Sequence, residues 1–223
     1  MRRYLLAIAL ILVSFAAAAG VQAHQPRYLR ENKLTVINNP EVSQAFYGEL
    51  KGSEAQYLIE LKQAQDLYLQ LLAPDLPGVG KDKTAVVAYQ PELGDRAVNF
   101  AQLDLPAEQW EKYFEEYAGD NYFKGPELKK PAEPGYYIVK ISSPDNQGKY
   151  VLVVGEKEEF PAGETVKALI TMPLLKKNFF AEPLTDWFDG KIGRYIGLSL
   201  LGLLILGIMF RQFNKVYKWK LKN

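Results

Sequence analysis

A sixteen-residue run without a charge, residues 195–210 (YIGLSLLGLLILGIMF), limits what this chain can be more than any other stretch. At about 1.5 Å per residue, a helix of that length covers roughly 24 Å of a ~30 Å hydrocarbon core. Lys191 and Arg194 precede the run and Arg211 follows it. Arginine stems extend along a helix and place their charge among lipid headgroups. Trp187 and Trp219, with Tyr195 and Tyr217, stand where interfacial aromatics belong. The pattern predicts one transmembrane helix over 195–210, held in membrane lipid by Arg194, Arg211, Trp187 and Trp219. The flanking cations and the length disfavour a buried core helix.

The formal net charge of +1 conceals a strong asymmetry. Residues 211–223 hold five cations and no acid, whereas residues 24–190 hold 18 Lys+Arg against 26 Asp+Glu, a net charge of −8. A short basic tail beside a membrane helix belongs on the cytoplasmic side, which leaves the acidic segment outside. Residues 1–23 have the form of a secretory signal peptide. Arg2 and Arg3 lead an apolar run over 4–19, and Val21 and Ala23 supply small residues before a cleavage point at His24. An uncleaved signal anchor is the alternative. The expected organisation is therefore a signal peptide (1–23), an extracytoplasmic domain (24–178), a juxtamembrane linker (179–194), a membrane helix (195–210) and a basic cytoplasmic tail (211–223). Such a chain is a single-pass type I protein of a prokaryotic-type cell membrane.

The chain has no cysteine. That excludes disulfides, thiolate-held zinc, iron–sulfur clusters and thiol catalysis. An exported domain of this kind depends on its own core, and 24–190 is long enough to build one.

Within the domain, runs of strand character alternate with turn residues. Residues 33–37, 43–50, 55–61, 66–72, 84–89, 135–141 and 149–154 predict seven strands. Leu67, Leu69 and Leu71 alternate with Tyr68 and Gln70, the mark of an antiparallel sheet with one face buried. Asp104 ahead of Leu105-Pro106-Ala107-Glu108 reads as a helix start. Trp110, Tyr113, Phe114 and Tyr117 follow at the spacing of one helical face. Residues 121–126 and 129–131 read as loop, and 164–175 as a short helix interrupted by Pro173. The fold class predicted is mainly β: an antiparallel β-sandwich with one or two short helices, plus the C-terminal membrane helix.

Two blocks carry a family likeness: residues 45–75 (AFYGELKGSEAQYLIELKQAQDLYLQLLAPD) and 134–160 (PGYYIVKISSPDNQGKYVLVVGEKEEF). Tyr57, Ile59 and Leu61, then Leu71 and Pro74, then Gly135, Tyr137 and Val139, then Gly148, Tyr150, Leu152 and Val154 fall on the strand motifs of one domain type. In this order the blocks resemble the bacterial pre-peptidase C-terminal type of β-sandwich. The segment around Trp110–Tyr117 is longer than that small sandwich needs. The resemblance implies a non-catalytic accessory module that supports secretion or binds polysaccharide or protein, and a fold-level analogy does not establish function.

Few residues point to chemistry. His24 is the only histidine and would open the mature chain; a terminal amine with an imidazole chelates copper, but a catalytic copper brace needs a second histidine. Gly78-Val79-Gly80-Lys81 lacks the other positions of a phosphate loop, with Asp75 and Asp82 where Gly and Ser/Thr belong. Glu115, Glu116 and Asp120, then Glu156, Glu158 and Glu159, and Asp145 are the acid groups from which a carboxylate hydrolase would draw a pair. Asp145 and Asn146 are the oxygen-rich candidates for calcium; no other cofactor is expected. The aromatics of 110–123 divide into core residues (Trp110, Phe114, Tyr117) and candidate ligand-stacking residues (Tyr113, Tyr122, Phe123). Gly193-x-x-x-Gly197 has the spacing of a helix–helix contact and points to a homodimer through the membrane helix. The function expected is a membrane-anchored, non-enzymatic binding or accessory module acting on a cell-surface protein or polysaccharide, with no nucleic-acid partner. The alternatives are a carboxylate-based, calcium-assisted surface hydrolase and a structural subunit of a membrane complex.

Overall fold

The computed structural model describes residues 24–31 and 33–220, with the side chains of Ile192 and residues 213–220 outside that description. The expected signal peptide, 1–23, lies outside the described residues. Eleven strands form two sheets. They are β1 Gln25–Tyr28, β2 Thr35–Ile37, β3 Gln44–Lys51, β4 Ala55–Leu61, β5 Gln65–Pro74, β6 Thr84–Gln90, β7 Val98–Leu103, β8 Glu111–Glu115, β9 Asp120–Ala132, β10 Gly135–Ser142 and β11 Gln147–Val154. One sheet runs β1-β3-β11-β5-β9-β8 and the other β2-β4-β10-β6-β7. Pairing is antiparallel except at one edge of each sheet, where β1 joins β3 and β2 joins β4 in parallel. The sheets are therefore mixed, because the chain leaves β1, passes through the second sheet as β2 and returns beside β1 in its original direction. Pro26 lies in edge strand β1 and has no N–H to offer a further strand, which blunts that edge.

The core lies between the sheets. Leu67, Leu69 and Leu71 of β5 face Tyr57 and Ile59 of β4 and Tyr137, Val139 and Ile141 of β10, all fully buried. The alternation seen in 66–72 is thus the inward face of β5. Tyr57 and Tyr150 meet across this core, hydroxyl to hydroxyl at 2.8 Å. Gly48 is the register partner of Tyr150, and any Cβ at 48 would overlap the Tyr150 ring.

β3 and β11 are buried on both faces, because the first sheet has a second covering layer. Helix α1, Ala162–Leu174, runs through Pro173 and continues as a π-helical turn, Leu175–Phe179. Pro173 removes one N–H from the helical ladder, and the turn after it widens. Phe179 and Phe180 set their rings edge-on against Tyr47 of β3, and Phe180 does the same to Tyr122 of β9.

The segment 104–132 corrects the sequence reading. Only Ala107–Gln109 is helical, as one 3₁₀ turn; Trp110 leads into β8, and residues read as loop belong to β9. Spacing at i, i+3, i+4, i+7 fits one face of a helix, but the pairing of 111–115 with 120–124 overrides that local period. Lys112 and Tyr113 pair across the hairpin with Phe123 and Tyr122, and such aromatic cross-strand contacts favour strand. Pro126 suggested a loop; it falls where the β5–β9 register shifts, a place where a strand tolerates proline.

Contacts divide the chain into two compact units. The sandwich with α1 is one. The other holds residues 116–119 and the chain from Thr185 onward, including the 3₁₀ segment Leu184–Asp189 from its second residue and helix α2, Lys191–Lys220. Inside this second unit the Lys191 N–H donates to the Glu116 carbonyl at 2.9 Å, and the Lys191 ammonium pairs with the Glu116 carboxylate. Gly119 (φ +76°) and Gly190 permit the approach, since a Cβ on either would strike the opposing backbone.

Candidate functional site

The β8–β9 hairpin carries the aromatic group expected to contact a ligand, and its three members lie in different settings. Tyr122 is 2% exposed. Its hydroxyl donates toward the Tyr47 hydroxyl and the Asp120 carboxylate, both at 3.4 Å. Burial pushes its pKa well above the ordinary tyrosine value. Phe123 is half-buried against the core, with the ammonium of Lys81 4.9 Å and that of Lys112 5.6 Å from its ring centre. Tyr113 is half-buried, with Lys124 4.1 Å from its ring centre. Trp110 is core as expected, its indole N–H donating to the Leu105 carbonyl at 3.1 Å and its ring lying over Gly125. Phe114, expected in the core, is 47% exposed, because in a strand it shares the face of Lys112 rather than a helical stripe with Trp110. The exposed part of the hairpin is thus Phe114 beside half-buried rings capped by lysines, an arrangement in which cation–π contacts hold the ammonium groups in place.

A second surface lies where β1 and β2 approach α1. It is an open groove of about 730 Å³, walled by Val36, Phe46 and Ile170 and crossed by charged groups. Arg27 donates to Glu164 at 2.7 Å, and Lys167 reaches the same carboxylate at 2.7 Å. Burial pushes Glu164 up, but these two cations more than reverse it, so its pKa falls below the usual carboxylate range. Neither the groove nor Arg27 was singled out from sequence. The groove needs three elements that are distant in the chain, and no local motif announces it.

His24 is tied to the start of β3. The amide of Gln25 donates to the Ser43 carbonyl at 2.9 Å, and the His24 Nδ1 contacts the Ser43 hydroxyl. Burial lowers its pKa to about 4.

Asp145 and Asn146 shape the β10–β11 turn. An Asp145 oxygen accepts from the Ser143 hydroxyl and the Gln147 N–H, and the Asn146 side-chain oxygen accepts from the Ser143 N–H. Among the described residues, no group of three or more His, Cys, Asp or Glu is placed to hold a metal ion. Several of the carboxylates considered for acid–base work lie against lysines: Glu156 against Lys129, Glu159 against Lys157, Glu116 against Lys191 and Asp120 against Lys176.

In the second unit, Gly193–Gln212 is a twenty-residue apolar stretch of α2, long enough to cross a membrane, with mean hydropathy 1.8 and only 6% of its apolar window buried by the chain. Arg194 donates from its backbone and side chain to the Gly190 carbonyl, and Arg211 is exposed. The Trp187 indole N–H is buried without a partner among the described residues. Trp219 falls among the side chains outside the description. The face of Gly193 and Gly197 is occupied within the chain, since a Cβ at 193 would meet the Trp187 carbonyl and one at 197 the Phe188 ring at 3.3 Å.

No protein-family model matches the chain, and no curated protein matches it. Solved structures do. The chain is similar to the pre-peptidase C-terminal domain of a collagenase from Bacillus anthracis, at 16% identity over 56% of this chain and 97% of that one, with TM-score 0.36. It is also similar to the Yersinia pseudotuberculosis-derived mitogen, at 13% identity over 55% and 92%, with TM-score 0.36. A third is CorA, a surface-associated copper-binding protein of Methylomicrobium album BG8, at 8% identity over 56% and 98%, with TM-score 0.31. The first is of the domain type that residues 45–75 and 134–160 resemble. At these TM-scores the likeness carries no argument about ligand or activity.

Proposed function

We propose that this chain is a membrane-anchored, extracytoplasmic binding module, non-catalytic, whose β-sandwich engages a protein or polysaccharide at the cell surface. The observation that carries the reading is the uncovered apolar stretch of α2. Leaving Leu200, Leu201, Leu203, Leu204, Ile205 and Ile208 in water would forfeit about 1.5–3 kcal/mol for each side chain. A bilayer covers them all at once. The basic residues after 210 and the acidic segment before 190 then orient the chain with the sandwich outside and the tail in the cytoplasm. The lysine-capped aromatics of the β8–β9 hairpin support a binding role for the sandwich.

The test is alkaline carbonate extraction of native membranes, followed by protease treatment of intact cells. The protein stays with the membrane, and external protease removes the sandwich while sparing the tail. Recovery in the soluble wash, or a sandwich shielded from protease, overturns the anchoring and the orientation. Hydrolytic turnover that disappears on one carboxylate substitution overturns the non-catalytic reading.

A further inference from the structure

The most deeply buried ion pair in the sandwich unit is that of Lys176 and Asp120. Each side chain is 1% exposed, and Lys176 Nζ lies 2.5 Å from Asp120 Oδ1. Asp120 opens β9, whereas Lys176 sits in the π-helical turn, so 56 residues separate them in sequence. A third group joins the cluster: the Glu182 carboxylate lies 3.1 Å from the same Nζ. Its place is built into the backbone. Ala181 adopts φ +57°, a left-handed conformation unusual for a residue with a Cβ, and the Glu182 N–H closes back on the Lys176 carbonyl at 2.9 Å. Strain of this kind persists only where the surroundings impose it, and it gathers at functional sites, as π turns do. Tyr122 donates to the second Asp120 oxygen at 3.4 Å, and the rings of Tyr47, Tyr122, Phe179 and Phe180 pack together around the turn.

An amine and a carboxyl held in contact, screened from water and accompanied by a second carboxylate are the parts of an amide-forming site. We propose that Lys176 and Asp120 become joined by an intramolecular isopeptide bond, with Glu182 moving the protons. The reactive form is the neutral pair, reached by passing one proton from Lys176 to Asp120 across their contact. The Nζ lone pair attacks Cγ of the protonated Asp120 and forms the C–N bond. Glu182 takes a proton from Nζ and delivers it to the departing hydroxyl, which leaves as water. One N–H and one C–O bond break, one C–N and one O–H bond form, and Glu182 is regenerated; nothing is oxidised or reduced.

Three physical features favour this. Burial pushes the Asp120 carboxyl up toward its neutral form. The two carboxylates more than offset the pull of burial on the Lys176 ammonium and hold its pKa up, which opposes the neutral amine and sets part of the barrier to the step. Contact geometry of this kind replaces a bimolecular encounter, and the amide removes two charges that are costly to bury. The product is a covalent staple between sheet and helix layer in an exported chain that has no cysteine from which to make one.

Peptide mapping decides the matter. The full-length protein is purified from membranes in detergent, denatured and digested with trypsin. The proposal predicts no cleavage after Lys176 and a branched peptide of residues 113–124 and 168–177, lighter than their sum by one water. Recovery of linear 113–124 and 168–176 in full yield shows an ion pair only and overturns it. Glu182→Gln keeps the shape of the cluster and is expected to yield the linear peptides; a branched peptide in that variant overturns the role of Glu182 and leaves the bond standing. The wild-type map does not depend on any variant folding.

Discussion

Tyr57 and Tyr150 offer the sharpest test of how this sandwich is held together. Their hydroxyls meet at 2.8 Å, and both residues are fully buried between the sheets. Replacing either tyrosine by phenylalanine removes one hydroxyl and leaves the other in a dry core. A buried donor or acceptor deprived of its partner costs about 1–3 kcal/mol, whereas removing both partners while keeping both rings is close to neutral. Tyr57→Phe and Tyr150→Phe should therefore each destabilise by about 1–3 kcal/mol, and the double variant by clearly less than the sum. For a chain of this size that corresponds to a fall in Tm of about 2–12 °C for each single variant. Thermal and urea unfolding of the full chain in detergent, followed by intrinsic fluorescence, measures all four corners of the cycle. Additive losses in the double variant, or single variants indistinguishable from wild type, would refute the bonded pair and with it the close approach of the two sheets at this point.

Three further outcomes follow from the same structure. Trp110→Ala removes a buried indole that fills the space over Gly125, and should cost about 3–5 kcal/mol in chemical unfolding; a loss under about 1 kcal/mol would place Trp110 outside the core. Leu203→Lys introduces a charge at the middle of the apolar stretch of α2, which disfavours insertion by about 2.5–3.5 kcal/mol, so the variant should appear in the carbonate-soluble fraction. An unchanged membrane fraction would count against spanning. The third concerns alkaline pH. Burial raises the pKa of Tyr57 well above the free value, and raises Tyr150 and Tyr137 to about 12. Between the unfolded tyrosine value of ~10 and these folded values, the unfolded state gives up protons that the folded state keeps. Stability is full below pH ~10 and declines as pH rises above it; a melting temperature unchanged from pH 9 to 11 would refute the burial.

How much could be read in advance depended on whether a residue's environment was set by its neighbours in sequence. β4, β5, β6 and β10 were legible because alternation and turn residues are local signals, and a strand with one inward face shows its period directly, while β11 showed as an apolar run after a turn. β8 and β9 were not. Trp110, Tyr113, Phe114 and Tyr117 have the spacing of a helical stripe, and only pairing of 111–115 with residues 120–124 overrides it. β1 is four residues long and contains a proline, too little to register as a strand until β3 lies beside it. Tyr122 looked like its neighbour Phe123, but a one-residue step along β9 turns it to the opposite face, under Phe180.

The sequence alone determined the apolar stretch, the charge asymmetry around it, the absence of thiol chemistry and the β character of the segment between. Those properties follow from composition and short-range period, which no tertiary arrangement can change. Tertiary structure alone decided that Lys176 and Asp120 meet in a dry site with the part-exposed Glu182 at its edge, that α1 and its π turn cover the first sheet, and that the Gly193–Gly197 face is occupied by the chain itself. Each of these depends on side chains brought together from distant segments by packing, and a buried lysine reads in sequence like any solvated one.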